Sequence, residues 1–433
     1  MSDTLADCIE VLAPQLTAWR RDFHRYPEQG WTEFRTAAII AERLDDLGWT
    51  VTAGAEVVDA AARMGVPDEA TLSAAFERAR AAGVSEAWLD RFAGGLTGVV
   101  AMLDSGRPGP TLGIRVDLDA LPIQEARDAV HRPAGEGFVS CHAGSMHACG
   151  HDGHAAIGLG LAEVLAADRD RLVGRVKLIF QPAEEGVRGA AALAEAGVVD
   201  DVDRFVAVHL GLGCPSGTVV CGCDGFLATS KLDVRFDGRS AHAGGQPEAG
   251  RNALLAAAFA VTGLHAIAPH SLGASRLNVG RLQAGTARNA IADRAELQIE
   301  TRGTTTAIDD YVRARAVQVI QGAADAQQVT AEITCVGRAV ECLASPDWVA
   351  RIVEVVAGLP GIEQVIDRDR QPRGSEDATT LMARVQARGG WATYMIVGSD
   401  LAAGHHQPDF DIDESRLPVA VRILAEIALA ADS

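Results

Sequence analysis

The sequence predicts an α/β protein of two domains: a mixed, mostly parallel sheet interrupted by a smaller β-α-β-β-α-β insertion. Three observations lead there. Apolar strands alternate with helical runs from Asp104 to about Cys214, and the same grammar returns near the end of the chain. Between those stretches the order changes to paired strands. With 433 residues, 48% of them hydrophobic, the chain exceeds what one ordinary core accommodates.

Taken in order, "TLGIRVDLDALP" is a strand, followed by a helix from about Ala155 to Ala167. "GRVKLIFQPAEEG" is the next strand and turn, a helix starts near Gly189, and "DRFVAVHLG" is a further strand. "GWATYMIVGSDLAAGHH" and a helix from about Leu417 to Ala430 resume the pattern. In the middle, "SKLDVRFDG", "SRLNVGRLQAG", "ADRAELQIETRG" and "QVTAEITCV" read as strands; "GRNALLAAAFAVTGLHAIA" and "AIDDYVRARAVQVIQGAA" read as helices. That is the ferredoxin-like order. The expected domains are therefore 1–224 with 341–433, and an inserted 225–340; residues 54–96 read as a mostly helical excursion of the first.

Charge and cysteine usage exclude several classes. A formal net charge of −19 argues against nucleic acid and acidic membrane surfaces. The first residues have neither a basic start nor a signal-length apolar core, and no run approaches the ~18 apolar residues of a membrane span, so a soluble cytoplasmic protein is expected. Eight scattered cysteines without a CxxC pair indicate reduced thiols and no zinc ribbon. No G-x-S-x-G elbow for a serine hydrolase appears.

"MHACGHDGH", from Met146 to His154, gathers a cysteine, three histidines and an aspartate in nine positions. Elsewhere, titratable residues fall at the ends of predicted strands: Asp117 and Asp119, then Glu184 and Glu185, then His209, then His405 and His406. In open parallel sheets the strand C-terminal ends form the binding crevice, so these segments converge on one rim. Adjacent carboxylates repel unless a divalent cation supplies positive charge. One can then bind metal while its neighbour moves a proton. Imidazole and thiolate suit zinc, and imidazole with carboxylate also suits manganese. For Cys149 the readings are a metal-facing thiolate, a nucleophile or a buried structural thiol; His151 two residues away favours the first.

"MHACGHDGH", "FQPAEEG", "AVHLG", "SAHAG", "SED" and "HHQPDF", in this order, resemble the aminoacylase and carboxypeptidase-like dinuclear metallohydrolases, in particular the hippurate hydrolase and auxin-conjugate amidohydrolase branch. "WRRDFHRYPEQGWTEFRTA", "AARMGVPDEATL", "GVVDDVD" and "AGHH" are more narrowly similar to the p-aminobenzoyl-glutamate hydrolases. The resemblance runs end to end. It implies two divalent ions, Mn2+ or Zn2+, with Cys149 as the bridging thiolate and His151, Glu185, His209 and His406 as the other ligands. It implies Glu184 as general base, His242 as a stabiliser of the developing oxyanion in a neighbouring protomer, and a lid and dimerisation role for the insertion. Asn289 and Arg302 are the candidates for gripping a substrate carboxylate, and Asp119 or Asp152 for orienting a ligand histidine. The implied reaction is hydrolysis of an N-acyl amino acid amide, foremost p-aminobenzoyl-glutamate, with indole-3-acetyl-aspartate as the near alternative. The implied assembly is a homodimer, or a hetero-oligomer with a homologous chain.

Overall fold

The structure is a computed structural model and describes residues 4–341 and 343–430. It divides into two compact units. One comprises Met1–Gly225, Cys342–Gln371 and Asp377–Ser433; the other comprises Phe226–Glu341 and Pro372–Glu376. In chain order the strands are β1 (Thr50–Ala53), β2 (Val99–Asp104), β3 (Thr111–Asp117), β4 (Arg175–Gln181), β5 (Arg204–Leu210) and β6 (Thr218–Val220). They continue with β7 (Ala228–Asp237), β8 (Ser275–Ala284), β9 (Arg294–Gly303), β10 (Thr330–Ala339), β11 (Gln364–Ile366) and β12 (Trp391–Val397).

The first unit is built on an eight-stranded sheet in the order β1-β2-β4-β3-β5-β12-β6-β11. Its centre is parallel: β3 pairs in parallel with β4 and β5, and β5 with β12. The outer pairs β1–β2, β2–β4 and β12–β6 are antiparallel. The central strands are covered on both faces, which is why they read as unbroken apolar runs such as "RFVAVHL". Against them packs the helix His151–Ala167, buried over most of its length and apolar nearly all round. A Cβ at Gly160 would lie 2.3 Å from Leu16 of the helix Thr4–Arg25, so glycine is what lets those two helices approach.

The boundaries carry information. The helix expected from about Ala155 begins at His151, because the left-handed Gly150, at φ 96°, closes the preceding turn and frees the next residue to start the helix. The excursion 54–96 contains one long helix, Glu69–Ala81, among short turns. Cys221 and Cys223 are buried beside β6.

The second unit is a four-stranded, wholly antiparallel sheet in the order β10-β7-β9-β8. Helices Ala253–His265 and Thr306–Gln327 pack on it over Leu232, Val234, Phe236, Leu297 and Ile299. Leu254, Leu255 and Phe259 of the first of those helices remain exposed. Among the described residues no helix is long and apolar enough to cross a membrane.

Candidate metal centre

Four neighbouring strands of the large sheet, β4-β3-β5-β12, deliver titratable residues at their C-terminal ends. Asp117 ends β3 and Asp119 follows it; Glu184 and Glu185 follow β4; His209 lies near the end of β5; His405 and His406 follow β12. His151 sits at the first position of its helix. The arrangement is a crevice at the strand ends, as expected for an open parallel sheet.

The Glu184–Glu185 turn is held by buried carboxylates. Glu33 accepts the Ala183 N–H at 2.8 Å, and the two oxygens of Asp119 accept those of Glu184 and Glu185 at 2.9 and 3.0 Å. Three successive backbone donors are satisfied in this way, and Ala183 is kept at φ 53°, a region costly for a side-chain-bearing residue. Burial and the neighbouring Asp119 push the Glu33 carboxyl up to about 8.

The imidazoles are set by their far-side hydrogen bonds. His151 donates from Nδ1 to the Asp119 carbonyl at 2.8 Å, and His209 donates from Nδ1 to the Leu210 carbonyl at 2.7 Å. In the neutral ring Nε2 is therefore the nitrogen left for a metal, the form in which histidine binds one. His209 Nε2 lies 3.5 Å from Cys149 Sγ. His154 donates to Asp117 at 2.5 Å and accepts the Leu210 N–H at 2.9 Å, so both its nitrogens are engaged. His406 Nε2 is 3.4 Å from Glu185 Oε1, and its backbone N–H bonds the Ala148 carbonyl at 2.8 Å, fixing the loop next to Cys149.

These donors form overlapping groups, each with ligand atoms within 4.8 Å of one another: Cys149 with His151 and His209, Cys149 with Glu185 and His406, and His151 with Glu184 and Glu185. Cys149 belongs to two of them, so a single sulfur faces two adjacent donor pockets. His151 Nε2 and Glu185 Oε1 are buried and make no hydrogen bond. Buried polar atoms in a folded protein are nearly always satisfied, and soft and hard donors converging without partners fit divalent cations.

Electrostatics agree with that fit. Burial, then Glu185, raises the Cys149 thiol. Burial disfavours a charge on His151, yet Asp117 and Cys149 more than reverse it and hold the imidazole well above its usual range. The Cys149 sulfur and the Glu185 carboxylate beside it lift His406 to about 10. Protons are thus held on Cys149, His151 and His406, while burial and the neighbouring His154 and His405 push His209 well below its usual range and keep it neutral. Cations would displace those protons.

Two further placements refine the sequence reading. Asp119, not Asp152, contacts His151; Asp152 instead receives Arg20 and His24, each at 2.8 Å. His405 accepts the Leu212 N–H at Nε2 (3.1 Å), so its Nδ1–H faces Cys149 Sγ at 3.6 Å as a donor, and both its nitrogens are used. Glu33 has no signal in the sequence, because it meets the Ala183 N–H across 150 positions; His154 and His405 stand within the motifs already singled out, and the structure gives them hydrogen-bonding roles beside the donors.

In the second unit, Nδ1 of the exposed His242 accepts the Gly244 N–H at 3.1 Å, which leaves the proton on Nε2. Its backbone bridges Ala290, placing Asn289 alongside. Arg302 is not brought to them. It lies near the far end of β9, eight positions from Arg294 or roughly 26 Å at strand rise, bonded to Glu300 at 2.6 Å. Asn289 and Arg302 of one chain therefore cannot grip the same carboxylate, because an extended strand separates them.

Residues 113–430 match the model of peptidase family M20/M25/M40. The chain belongs to that family. Its M20 relatives include the indole-3-acetyl-aspartic acid hydrolase of Enterobacter agglomerans, 58% identical over 98% of each chain. A component chain of the p-aminobenzoyl-glutamate hydrolase of Escherichia coli K12 is 55% identical over 99% of this chain and 98% of that one. Among solved structures, the aminobenzoyl-glutamate utilization protein of Klebsiella pneumoniae superposes with a TM-score of 0.87 at 53% identity, covering 98% of both chains. The Bacillus subtilis YXEP protein, a dinuclear metal binding peptidase of the M20 family, gives 0.68 at 25% identity over 98% of this chain and 99% of that one. The resemblance read from the motifs is thus the family to which the chain belongs, one of hydrolases acting on amide bonds.

Proposed function

We propose that this M20 chain hydrolyses the amide of an aromatic acyl group joined to an acidic amino acid. p-Aminobenzoyl-glutamate is the first substrate and indole-3-acetyl-aspartate the alternative. Relatives named for each lie at 55% and 58% identity over nearly the whole length, and both substrates share one chemistry. The observation that carries the reading is the position of Cys149, common to two adjacent donor groups. In this reading Cys149, His151, Glu185, His209 and His406 would hold the metal pair, with Cys149 shared between the two donor groups. Two divalent ions, Mn2+ or Zn2+, would supply Lewis acidity toward the water and the scissile carbonyl. Glu184, joined to the Glu185 ligand by one peptide bond, takes the proton of the attacking water and passes it to the leaving nitrogen. Asp119 holds both glutamates and His151 in place.

The second unit is read as a ferredoxin-like lid and dimerisation domain. Its exposed Leu254, Leu255 and Phe259 suit a homodimer, and the Nε2–H tautomer of His242 suits stabilisation of an oxyanion in the neighbouring protomer. Asn289 beside it and Arg302 at the far end of β9 would meet separate substrate carboxylates. The Escherichia coli relative is named as one of a hydrolase's subunits, which keeps a hetero-oligomer as the second reading, and a cytoplasmic setting accords with unpaired thiols. The test is to purify the chain alone, load Mn2+ or Zn2+, and assay acyl-glutamates and acyl-aspartates. Turnover is expected without another chain; absence of turnover on every acyl-amino acid, with metal bound, defeats the proposal.

A further inference from the structure

The first unit also contains a cavity of about 370 Å³, walled by Pro27, Gln29, Gly30 and Thr32, by one face of the excursion helix Glu69–Ala81, by the loop 142–145 and by Arg188. None of the donors described above lines it. Its size falls in the range of small-molecule sites. In a chain of net charge −19 its lining includes two arginines, Arg78 and Arg188, and no aspartate or glutamate.

The polar groups there are only partly used by the protein. Arg188 donates Nε to the Glu185 carbonyl at 2.7 Å and Nη1 to that of Gly65 at 3.1 Å. Among the described residues its Nη2 has no hydrogen-bond partner; a Cβ at Gly30 would lie 2.4 Å from it, so glycine is what admits the guanidinium. Arg78 is exposed, and among the described residues its guanidinium makes no ion pair or hydrogen bond. Ser145 is 7% exposed, and its buried Oγ has no partner. His142 donates Nδ1–H to the Pro27 carbonyl at 2.9 Å, which leaves Nε2 as an acceptor. Burial, with Arg78 and Arg35 nearby, lowers its pKa and keeps it neutral. Guanidinium groups fit carboxylates, an unpartnered hydroxyl adds a donor, and a neutral imidazole nitrogen asks for an N–H.

We propose that this cavity is a recognition site for a small carboxylate carrying an N–H donor, the chemistry of an acidic amino acid, with Arg78, Arg188 and Ser145 on the carboxylate and His142 Nε2 on the N–H. The ligand is either the free amino acid or the amine half of a substrate; the second form rests on the proposed function.

The probes are L-glutamate and L-aspartate, with L-alanine as control, titrated calorimetrically into the full chain with and without metal. Saturable binding of the acidic amino acids is expected in both states, weakened at least about tenfold in Arg78→Gln and Ser145→Ala, with metal content unchanged. Arg78 is exposed, so its variant tests the idea without threatening the fold. No saturation below about 10 mM, binding only in the metal-loaded chain, or equal affinity in Arg78→Gln overturns the proposal. The two sources separate kinetically. If Arg78→Gln lowers kcat/KM for acyl-glutamate and not for acyl-alanine, the ligand is the substrate's amine half. If both stay unchanged while added glutamate alters wild-type turnover of acyl-alanine, the ligand is the free acid. Failure of all hydrolysis would sink the proposed function and leave the calorimetric result standing.

Discussion

Replacing Arg20 by methionine should destabilise the first unit severely while leaving the second untouched. Arg20 is fully buried and divides its guanidinium among three carboxylates: Nε to Asp152 at 2.8 Å, Nη2 to Asp411 at 2.8 Å and Nη1 to Glu414 at 3.2 Å. Methionine fills a similar volume, so the loss is charge rather than packing. It strands carboxylates that are themselves almost wholly buried, for which removal of one partner costs about 3–5 kcal/mol. Arg132 and His24 remain nearby and keep the figure from rising further. The assay is urea denaturation followed by tryptophan fluorescence. All six tryptophans (19, 31, 49, 88, 348 and 391) lie in the first unit, so the signal reports that unit alone. Adding Asp152→Asn should return about 0.5–3 kcal/mol, because the stranded charge is then gone. A loss below about 1 kcal/mol, or no recovery in the double variant, refutes the claim that Arg20 neutralises this cluster.

Glu184→Gln should keep its metal and lose about 10²–10⁴-fold in kcat, read by elemental analysis beside steady-state rates; a normal rate removes the base from the mechanism. Cys149→Ser should bind less metal, because a hydroxyl is a poorer bridging donor than a thiolate, and unchanged stoichiometry contradicts the ligand role. His242→Ala should slow turnover by about 10²–10³-fold with metal content intact, as for loss of one oxyanion donor; an unaffected rate rejects the proposed action in a neighbouring protomer. His24 gives a pH signature. Burial and Arg20 oppose its charge, yet hydrogen bonds to Asp152 and Glu125 raise its pKa above the usual value. Its contribution to stability is therefore complete below about pH 6.5 and fades as pH climbs through the raised folded-state value. Denaturation midpoints of wild type and His24→Gln should converge with rising pH, and a gap that widens would reverse the assignment.

What could be read from the chain and what could not divides along sequence separation. The Cys149–His151 cluster is local, and the carboxylates and imidazoles after β3, β4, β5 and β12 are legible because strand ends of a parallel sheet share one rim. Arg20 meets Asp152 across 132 positions, and Glu33 meets Ala183 across 150, so no local pattern announces either contact. Asp119 and Asp152 could not be ranked from sequence, yet helix geometry separates them. Successive residues of a helix point about 100° apart, so Asp152 turns away from whatever His151 faces and meets the helix Thr4–Arg25 instead. The wide spacing of Asn289 and Arg302 was hidden for the converse reason: thirteen residues look close in a sequence, but most of that interval is extended strand.

The centre is built on backbone conformations that side-chain-bearing residues avoid. Ala183, Val187, Leu212 and His406, at φ 53°, 58°, 46° and 64°, flank or belong to the donor loops. Each costs of order 1–3 kcal/mol and persists only where its surroundings dictate it. Here the dictating groups are visible. Glu33 and Asp119 hold the turn after β4, the His405 imidazole takes the Leu212 N–H, and the Ala148 carbonyl takes that of His406. Two of the positions that fix these turns, Asp119 and His405, also touch the donors themselves, through His151 and Cys149. The same contacts that offset the strain therefore aim the candidate donors. Donor loops held in this way by hydrogen bonds and buried carboxylates draw their shape from the fold itself, unlike a small zinc domain whose fold depends on its ion.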